Sequence, residues 1–285
     1  MSATAVAPAS GPSSGRVRWT LWCGAGISAL LVLVAVLSFF WTPQSVVRMN
    51  MRNRFRPPSL DFLLGTDQFG RDVLSLLMVG AQNALMIGVV AVLLGLVVGV
   101  VLGLFAAARG GWIEELAMRA ADLMFAFPVV LLAIMFAAAL GPGSTNSMIA
   151  IGIHNIPIFA RLTRGAAKAI WTRDFILAAR VAGHGPFAIS LRHVLPNVLN
   201  ILVVQVTISF AIAILADAAL SYLGLGTQPP IPTWGRMLKE AQTFMSQSPW
   251  LAIFPGLTIA ITVLGLNLFG DALRDRLDPR YARSR

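Results

Sequence analysis

The chain has 285 residues, of which 57% are hydrophobic and 12% charged, about half the ~25% charge of an ordinary soluble protein. That composition exceeds what one soluble core hides, and it also excludes a disordered, collagen-like or disulfide-stapled chain. Lys and Arg outnumber Asp and Glu by 22 to 12, a formal charge of +10; in so apolar a chain this points to membrane-flanking loops and anionic lipid, with no nucleic-acid partner.

The expected architecture is all-α: a polytopic integral membrane protein with six transmembrane helices. A helix needs ~20 apolar residues to cross the hydrocarbon core. Residues 1–20, rich in Ala, Ser, Pro and Gly at their start, read as a disordered cytoplasmic tail. The first span, 21–41, is too long for a signal peptide and ends in Phe39, Phe40 and Trp41 without a small-residue cleavage site. Cys23, the single cysteine, can form no intrachain disulfide and reads as a small apolar helix residue. Residues 42–82 read as an extracytoplasmic loop and an interfacial helix, with Thr66 and Asp67 as helix-capping types.

The membrane core covers 83–270. Its spans are 83–108, 119–140, 147–164, 197–216 and 250–270, and 271–285 form a cytoplasmic tail. In the second span Ala91, Gly95, Gly99, Gly103 and Ala107 recur every four residues, so one helix face is small from end to end. Lipid gives no hydrophobic push between helices, so such a face predicts a close helix–helix seam, within the chain or with a partner. The fourth span is short and contains Asn155 and Pro157, which neighbouring helices must cover. Asp122 reads as the i,i+3 partner of Arg119.

With the N-terminus inside, 15 of the 22 basic residues fall on the inner side and seven on the outer. The positive-inside bias therefore favours both termini in the cytoplasm. Arg48, Arg52, Arg54, Arg56 and Arg71, all between the first two spans, count against it.

The longest inner segment is 161–192. Asp174 is an expected N-cap for a helix over 175–182; Gly183 and Gly185 break it, and Pro186 opens the next turn. Such a helix, held out between two spans, suits a cytoplasmic partner or an ordinary interfacial loop. The sequence carries no G-x-x-x-x-G-K-[ST], no H-E-x-x-H and no G-x-S-x-G. His154, His184 and His193 lack metal-ligand spacing with a carboxylate, so no metal site and no catalytic residue are expected. Any ATP used by this protein must be bound by another chain.

Leu177, Ala178, Ala179 and Gly183, followed after nine residues by His193, Val194, Leu195 and Pro196, resemble the cytoplasmic loop of ABC importer permeases, E-A-A-x3-G-x9-I-x-L-P. Leu177 stands where Glu is usual and His193 where Ile is usual. Leu64, Gly65, Thr66, Asp67, Gly70, Arg71 and Asp72 resemble the L-G-T-D-x-x-G-R-D segment of dipeptide and oligopeptide permeases. The run from Ala218 through Pro230, then Pro232, Thr233, Trp234 and Gly235, is similar to A-A-L-S-F-L-G-L-G-x-Q-P-P and P-x-W-G. With the stretch from Pro249 to Arg280, the likeness covers about residues 61 to 280. The chain is thereby identified as resembling the second, C-type permease subunit of a peptide/nickel-class importer.

The resemblance implies the binding-protein-dependent permease fold in a bacterial inner membrane. It implies a homologous second permease, two cytoplasmic ATPases holding ATP and Mg, and an extracytoplasmic substrate-binding protein. Coupling would run through Asp174, Leu177, Ala178, Ala179, Gly183, Leu195 and Pro196, and the cargo would be di- or oligopeptides. Nickel chelates, glutathione or another small solute are the alternatives, and a self-sufficient channel or secondary transporter is the rival of another class. Gln205, Thr207, Ser209, Asp217 and Asn267 are candidates for a polar substrate pathway or for bonds between helices. Asp217, at the expected outer end of the fifth span, could meet a peptide amino group or cap the turn before Ala218.

Overall fold

The computed structural model describes residues 14–277, and the side chains of 19–277. Residues 1–13, most of the expected N-terminal tail, and 278–285, the end of the C-terminal tail, lie outside the described residues. The described residues form ten α-helices and no strand: α1 Ser14–Phe40, α2 Val73–Arg109, α3 Gly111–Ala126, α4 Val129–Leu140, α5 Ser144–Trp171, α6 Asp174–Val181, α7 Pro186–Ile189, α8 Leu195–Leu223, α9 Trp234–Gln242 and α10 Trp250–Leu277. α1 from Trp19, α2, α8 with its preceding turns, and α10 are each long and apolar enough to cross a membrane.

α2 is one unbroken helix of 37 residues and begins ten residues before the expected span. No separate interfacial helix precedes it. Its N-cap is Asp72, whose carboxylate accepts from the Ser75 N–H at 2.8 Å and the Ser75 hydroxyl at 2.6 Å. Thr66 and Asp67, the expected capping types, instead hold the loop before it.

The small face of α2 packs on α5. A β-carbon at Gly99 would lie 2.6 Å from the Ile156 carbonyl oxygen, and one at Gly103 2.6 Å from that of Ala160. A β-carbon at Gly95 would meet Asn155. Ala91 is fully buried on the same line and Ala107 packs at its end. The seam is therefore within the chain. Partners rise together along both helices, so α2 and α5 run parallel.

That register requires the chain to return across the bundle between Arg109 and Ser144. α3 and α4 make the return, bent by 79° from one another. Pro128 causes the break: it lacks an N–H, and it forces Phe127 into an extended conformation, φ −86° and ψ 118°. The third span is thus a broken one, not the single helix over 119–140 that hydropathy suggests.

α5 runs seven residues past the expected span end at 164, straight through Pro157. The Asn155 amide bonds the Ile151 carbonyl at 2.9 Å, and the α2 seam buries this stretch. The extension is helical because its charges find partners on α3. Glu114, nearly buried, is paired with Arg164 and lies 2.9 Å from the Lys168 ammonium. Asp122 pairs with Arg161, and Arg119 with Glu115 at 2.8 Å, so the expected Arg119–Asp122 pair does not form.

α8 runs antiparallel to α10, with Thr207 against Gly270, and α10 antiparallel to α1, with Ile27 against Gly265. One end of the bundle therefore carries the start of α1, the α2–α3 turn, the α5–α8 connection and the end of α10. The other carries the 41–72 segment, the starts of α2, α5 and α10, and helix α9.

Candidate functional site

The α5–α8 connection protrudes from the first of these ends. α6 starts at Asp174 itself; Arg173 is its N-cap residue, and Asp174 makes no side-chain capping bond. The carboxylate sits instead in the first turn, where it favours the positive end of the helix dipole. The helix closes on Gly183, at φ +82°, a region only glycine enters cheaply. The Gly183 N–H donates to the Arg180 carbonyl at 2.9 Å and the His184 N–H to that of Ala179 at 3.1 Å. This is a Schellman closure. Pro186 then opens α7, where its missing N–H costs nothing.

Leu195 and Pro196 do not end a loop. They lie in a helix that runs through a π turn, Ser190–Val194, directly into α8. Pro196 has no N–H for the α-helical ladder, which accounts for a wide turn just before it. α8 itself runs to Leu223, seven residues beyond the expected span.

Burial divides α6 into two faces. Ile176 and Ala179 pack into the core with Trp171, Ile189 and Val194. Phe175, Leu177, Ala178 and Val181 face outward, joined by Phe187 of α7. Val181 is 90% exposed and Phe187 81%. The Arg180 guanidinium lies 5.1 Å from the Trp171 ring centre, bracing α6 against the end of α5. The helix is anchored by two residues and displays large apolar side chains beyond the bundle end, an exposed patch of the kind that marks interaction sites. The two motif alanines thus do different work: Ala179 seats the helix, and Ala178 leaves room on the outward face. Val181 and Phe187 escaped the sequence reading, although Ile176 and Ala179, three residues apart, already mark the opposite face as buried.

At the other end, the segment from Gly65 to Asp72 forms a tight loop. The Asp67 carboxylate accepts from the Phe69 and Arg71 N–H groups at 2.9 and 2.8 Å, and from the Arg71 guanidinium at 2.7 Å. The Thr66 hydroxyl accepts from the Arg56 N–H at 2.8 Å and donates to the Asn53 carbonyl. Gly65 and Gly70 are buried, and Gly70 lies directly against the Asn50 carbonyl. The loop binds α9 through Glu240, which accepts from the Gln68 amide at 2.7 Å and from Arg236 at 2.8 Å. The Trp234 indole, buried, donates to the Leu77 carbonyl at 3.0 Å, and Gly235 lies against the Ala218 carbonyl. These two motif segments, separated by more than a hundred residues, meet here.

The five candidate pathway residues do not converge. Gln205 borders an open groove between α5, α8 and α10 and bonds Ser209 at 3.2 Å; Ser209 is fully buried. Thr207 bonds the Val204 carbonyl at the α8–α10 contact. Asn267 is exposed on α10. Asp217 is buried inside α8, six residues before its end, 3.5 Å from the Ser221 hydroxyl. It caps no turn; Gly224 closes that helix.

The chain is thus a multi-pass all-α bundle with a short, outward-facing apolar helix at one end and an ordered polar cap at the other. Residues 99–283 match the model of the family described as "binding-protein-dependent transport system inner membrane component", and the chain belongs to that family. It is 43% identical over 87% of its length to a dipeptide transport system permease protein, DppC, of Alkalihalophilus pseudofirmus, covering 82% of that protein. It is 44% identical over 88% of its length to a glutathione transport system permease protein, GsiD, of Shigella flexneri, covering 83% of it. Its fold is similar to a chain of the inward-facing MetNI methionine ABC transporter, with a TM-score of 0.60 at 18% identity over 71% of this chain and 96% of that one. The chain is a multi-pass inner-membrane permease subunit of an ABC importer.

Proposed function

We propose that this chain is one of two homologous permeases enclosing the path of an ATP-driven importer of di- and oligopeptides. The observation that carries the substrate class is the 43% identity, over most of both chains, to a permease named for dipeptide transport. In this reading the α6 end faces the cytoplasm together with both termini. Two ATPases dock on the α6 segments, one under each permease, and bind the ATP and Mg. Closure of the ATPase pair pushes on α6, and the push passes to α5 through Trp171 and to α8 through the continuous helix after Pro186. A binding protein delivers solute at the α9 end, and this chain performs no covalent chemistry. Gln205, on the open groove, is the candidate pathway residue best placed to meet cargo.

Identity at 44% to glutathione permeases favours glutathione, itself a tripeptide, as the second reading. The test is a mild-detergent pull-down of the tagged chain from its own cells, with mass spectrometry. A second permease, P-loop ATPases and a binding protein are expected, and uptake of labelled dialanine against labelled glutathione then separates the two cargoes. A chain that purifies alone and still moves solute overturns the proposal.

A further inference from the structure

The end of α8 and helix α9 enclose a cleft of about 430 Å3 at the loop-bearing end of the bundle, within the range of small-molecule sites. One wall is the turn after α8, where Gly224 takes a left-handed φ of +87° and the Gln228 amide bonds the carbonyls of Gly224 and Gly226 at 3.1 and 2.8 Å. The other wall is one face of α9, which presents Arg236, Lys239 and Glu240 at helical spacing.

The charges in this cleft do not balance. Glu240 is its only carboxylate, and both of its oxygens are engaged by Arg236 and Gln68, with Arg71 3.8 Å away. Lys239 has no hydrogen bond or ion pair among the described residues. Lys239 is exposed at the mouth of the cleft, and its ammonium lies 2.9 Å from where a β-carbon on Gly224 would stand. The wall also contains Thr227, nearly buried, whose hydroxyl has no hydrogen-bond partner. A bound acceptor would satisfy the ammonium directly and the sealed hydroxyl once the Thr227 side chain rotates.

We propose that this cleft is a carboxylate-binding subsite, with Lys239 as its anchoring cation, that receives the C-terminal carboxylate of a peptide at the outer mouth of the path. The naming of a peptide rests on the import reading above; the carboxylate chemistry does not. The ammonium ion-pairs with one carboxylate oxygen, and the Thr227 hydroxyl donates to the other after a rotation of its side chain.

The chain contains only two lysines, Lys168 and Lys239, which makes a direct test simple. The full chain is reductively methylated with 13C-formaldehyde, which keeps the ammonium charge, and placed in phosphatidylcholine nanodiscs. Each lysine then gives one resolvable methyl signal, assigned with Lys239→Arg. Titration uses trialanine, trialanine amide and acetate. The Lys239 signal is expected to shift saturably with trialanine and acetate, with at least a tenfold weaker response to the amide, while Lys168, held by Glu114, stays still. A Lys239 signal unmoved by both carboxylates, or moved equally by the amide, overturns the subsite. A shift with acetate but none with trialanine keeps the subsite and removes the peptide. No shift alongside intact dialanine uptake in cells removes the subsite and keeps the peptide reading.

Discussion

Gly103 of α2 faces Ala160 of α5 so closely that a β-carbon would stand 2.6 Å from the Ala160 carbonyl oxygen. The same holds one turn earlier at Gly99 against Ile156. The listener at such a contact is backbone, which cannot rotate out of the way. Gly99→Val and Gly103→Val are therefore expected to separate α2 from α5 and to cost at least the ~1–3 kcal/mol of ordinary overpacking. Thermal unfolding of the purified chain should move down by several degrees, whereas Gly165→Val, on the exposed face of α5 with nothing within 4 Å of the new side chain and no left-handed φ, should move it far less. Equal melting for all three variants would show that the seam does not hold the bundle together.

The small face of α2 was legible because a four-residue period needs no knowledge of partners. The limits of α5 were not. Arg164 and Lys168 read locally as the start of a polar loop, but Glu114, fifty residues earlier, neutralises them and lets the helix continue. The Asp122 pair was misread for the same reason: Arg119 is nearer in sequence, and Arg161 is nearer in space. Pro128 was visible, yet the apolar run around it hid the break, because hydropathy counts side chains and the break is a backbone event. In the segment before α2, Thr66 and Asp67 read as the capping types, and Asp72 was not among them. Which residue caps α2 depends on where the helix begins, and Asp72 stands next to that start. Helix α6 was legible as a helix with a Gly stop, while its two faces required the core it sits on.

Gly183 has nothing within 4 Å of where a side chain would begin, so its role is purely the left-handed turn that closes α6. Gly183→Asn, which tolerates that region, should retain most transport. Gly183→Val should lower ATP-dependent uptake about tenfold with unchanged membrane abundance, since it strains the turn and tilts the outward face of α6. Uptake by right-side-out proteoliposomes loaded with ATP, read beside ATPase rate, separates uncoupling from misfolding. Full coupling in the Val variant would refute the proposed role of α6.

Asp67 holds two backbone N–H groups and one guanidinium while nearly buried. Hydrogen bonds to a charged group are worth about 1.5–3 kcal/mol each, and removing the acceptor leaves the donors unpaired. Asp67→Ala is expected to destabilise the cap formed by the 65–72 loop and α9 by about 3 kcal/mol, releasing Arg71. Because Gln68 and Arg71 contact Glu240, the loosened cap should also expose α9 to protease, detectable as a new cleavage near residue 240. Protease resistance equal to the parent chain would show that α9 is held by Trp234 and Gly235 alone.

Glu114 ties the first turns of α3 to the last turns of α5, the helix that leads into α6. Arg164 and Lys168 are partly exposed, so solvent screening limits each pair to about 1 kcal/mol or less. Glu114→Gln should therefore leave the fold intact. The functional effect is expected to be larger than the stability effect if α3, which the Pro128 break separates from α4 by a 79° bend, follows α5. If α3 swings with α5 when α6 is pushed, Glu114→Gln lowers uptake per ATP hydrolysed several-fold. Exchange of the pair, Glu114→Arg with Arg164→Glu, restores part of it, since the attraction is recovered in reversed order. Unchanged uptake per ATP in Glu114→Gln would mean that α3 stays with α4 and that the coupling motion passes through α5 and α8 alone.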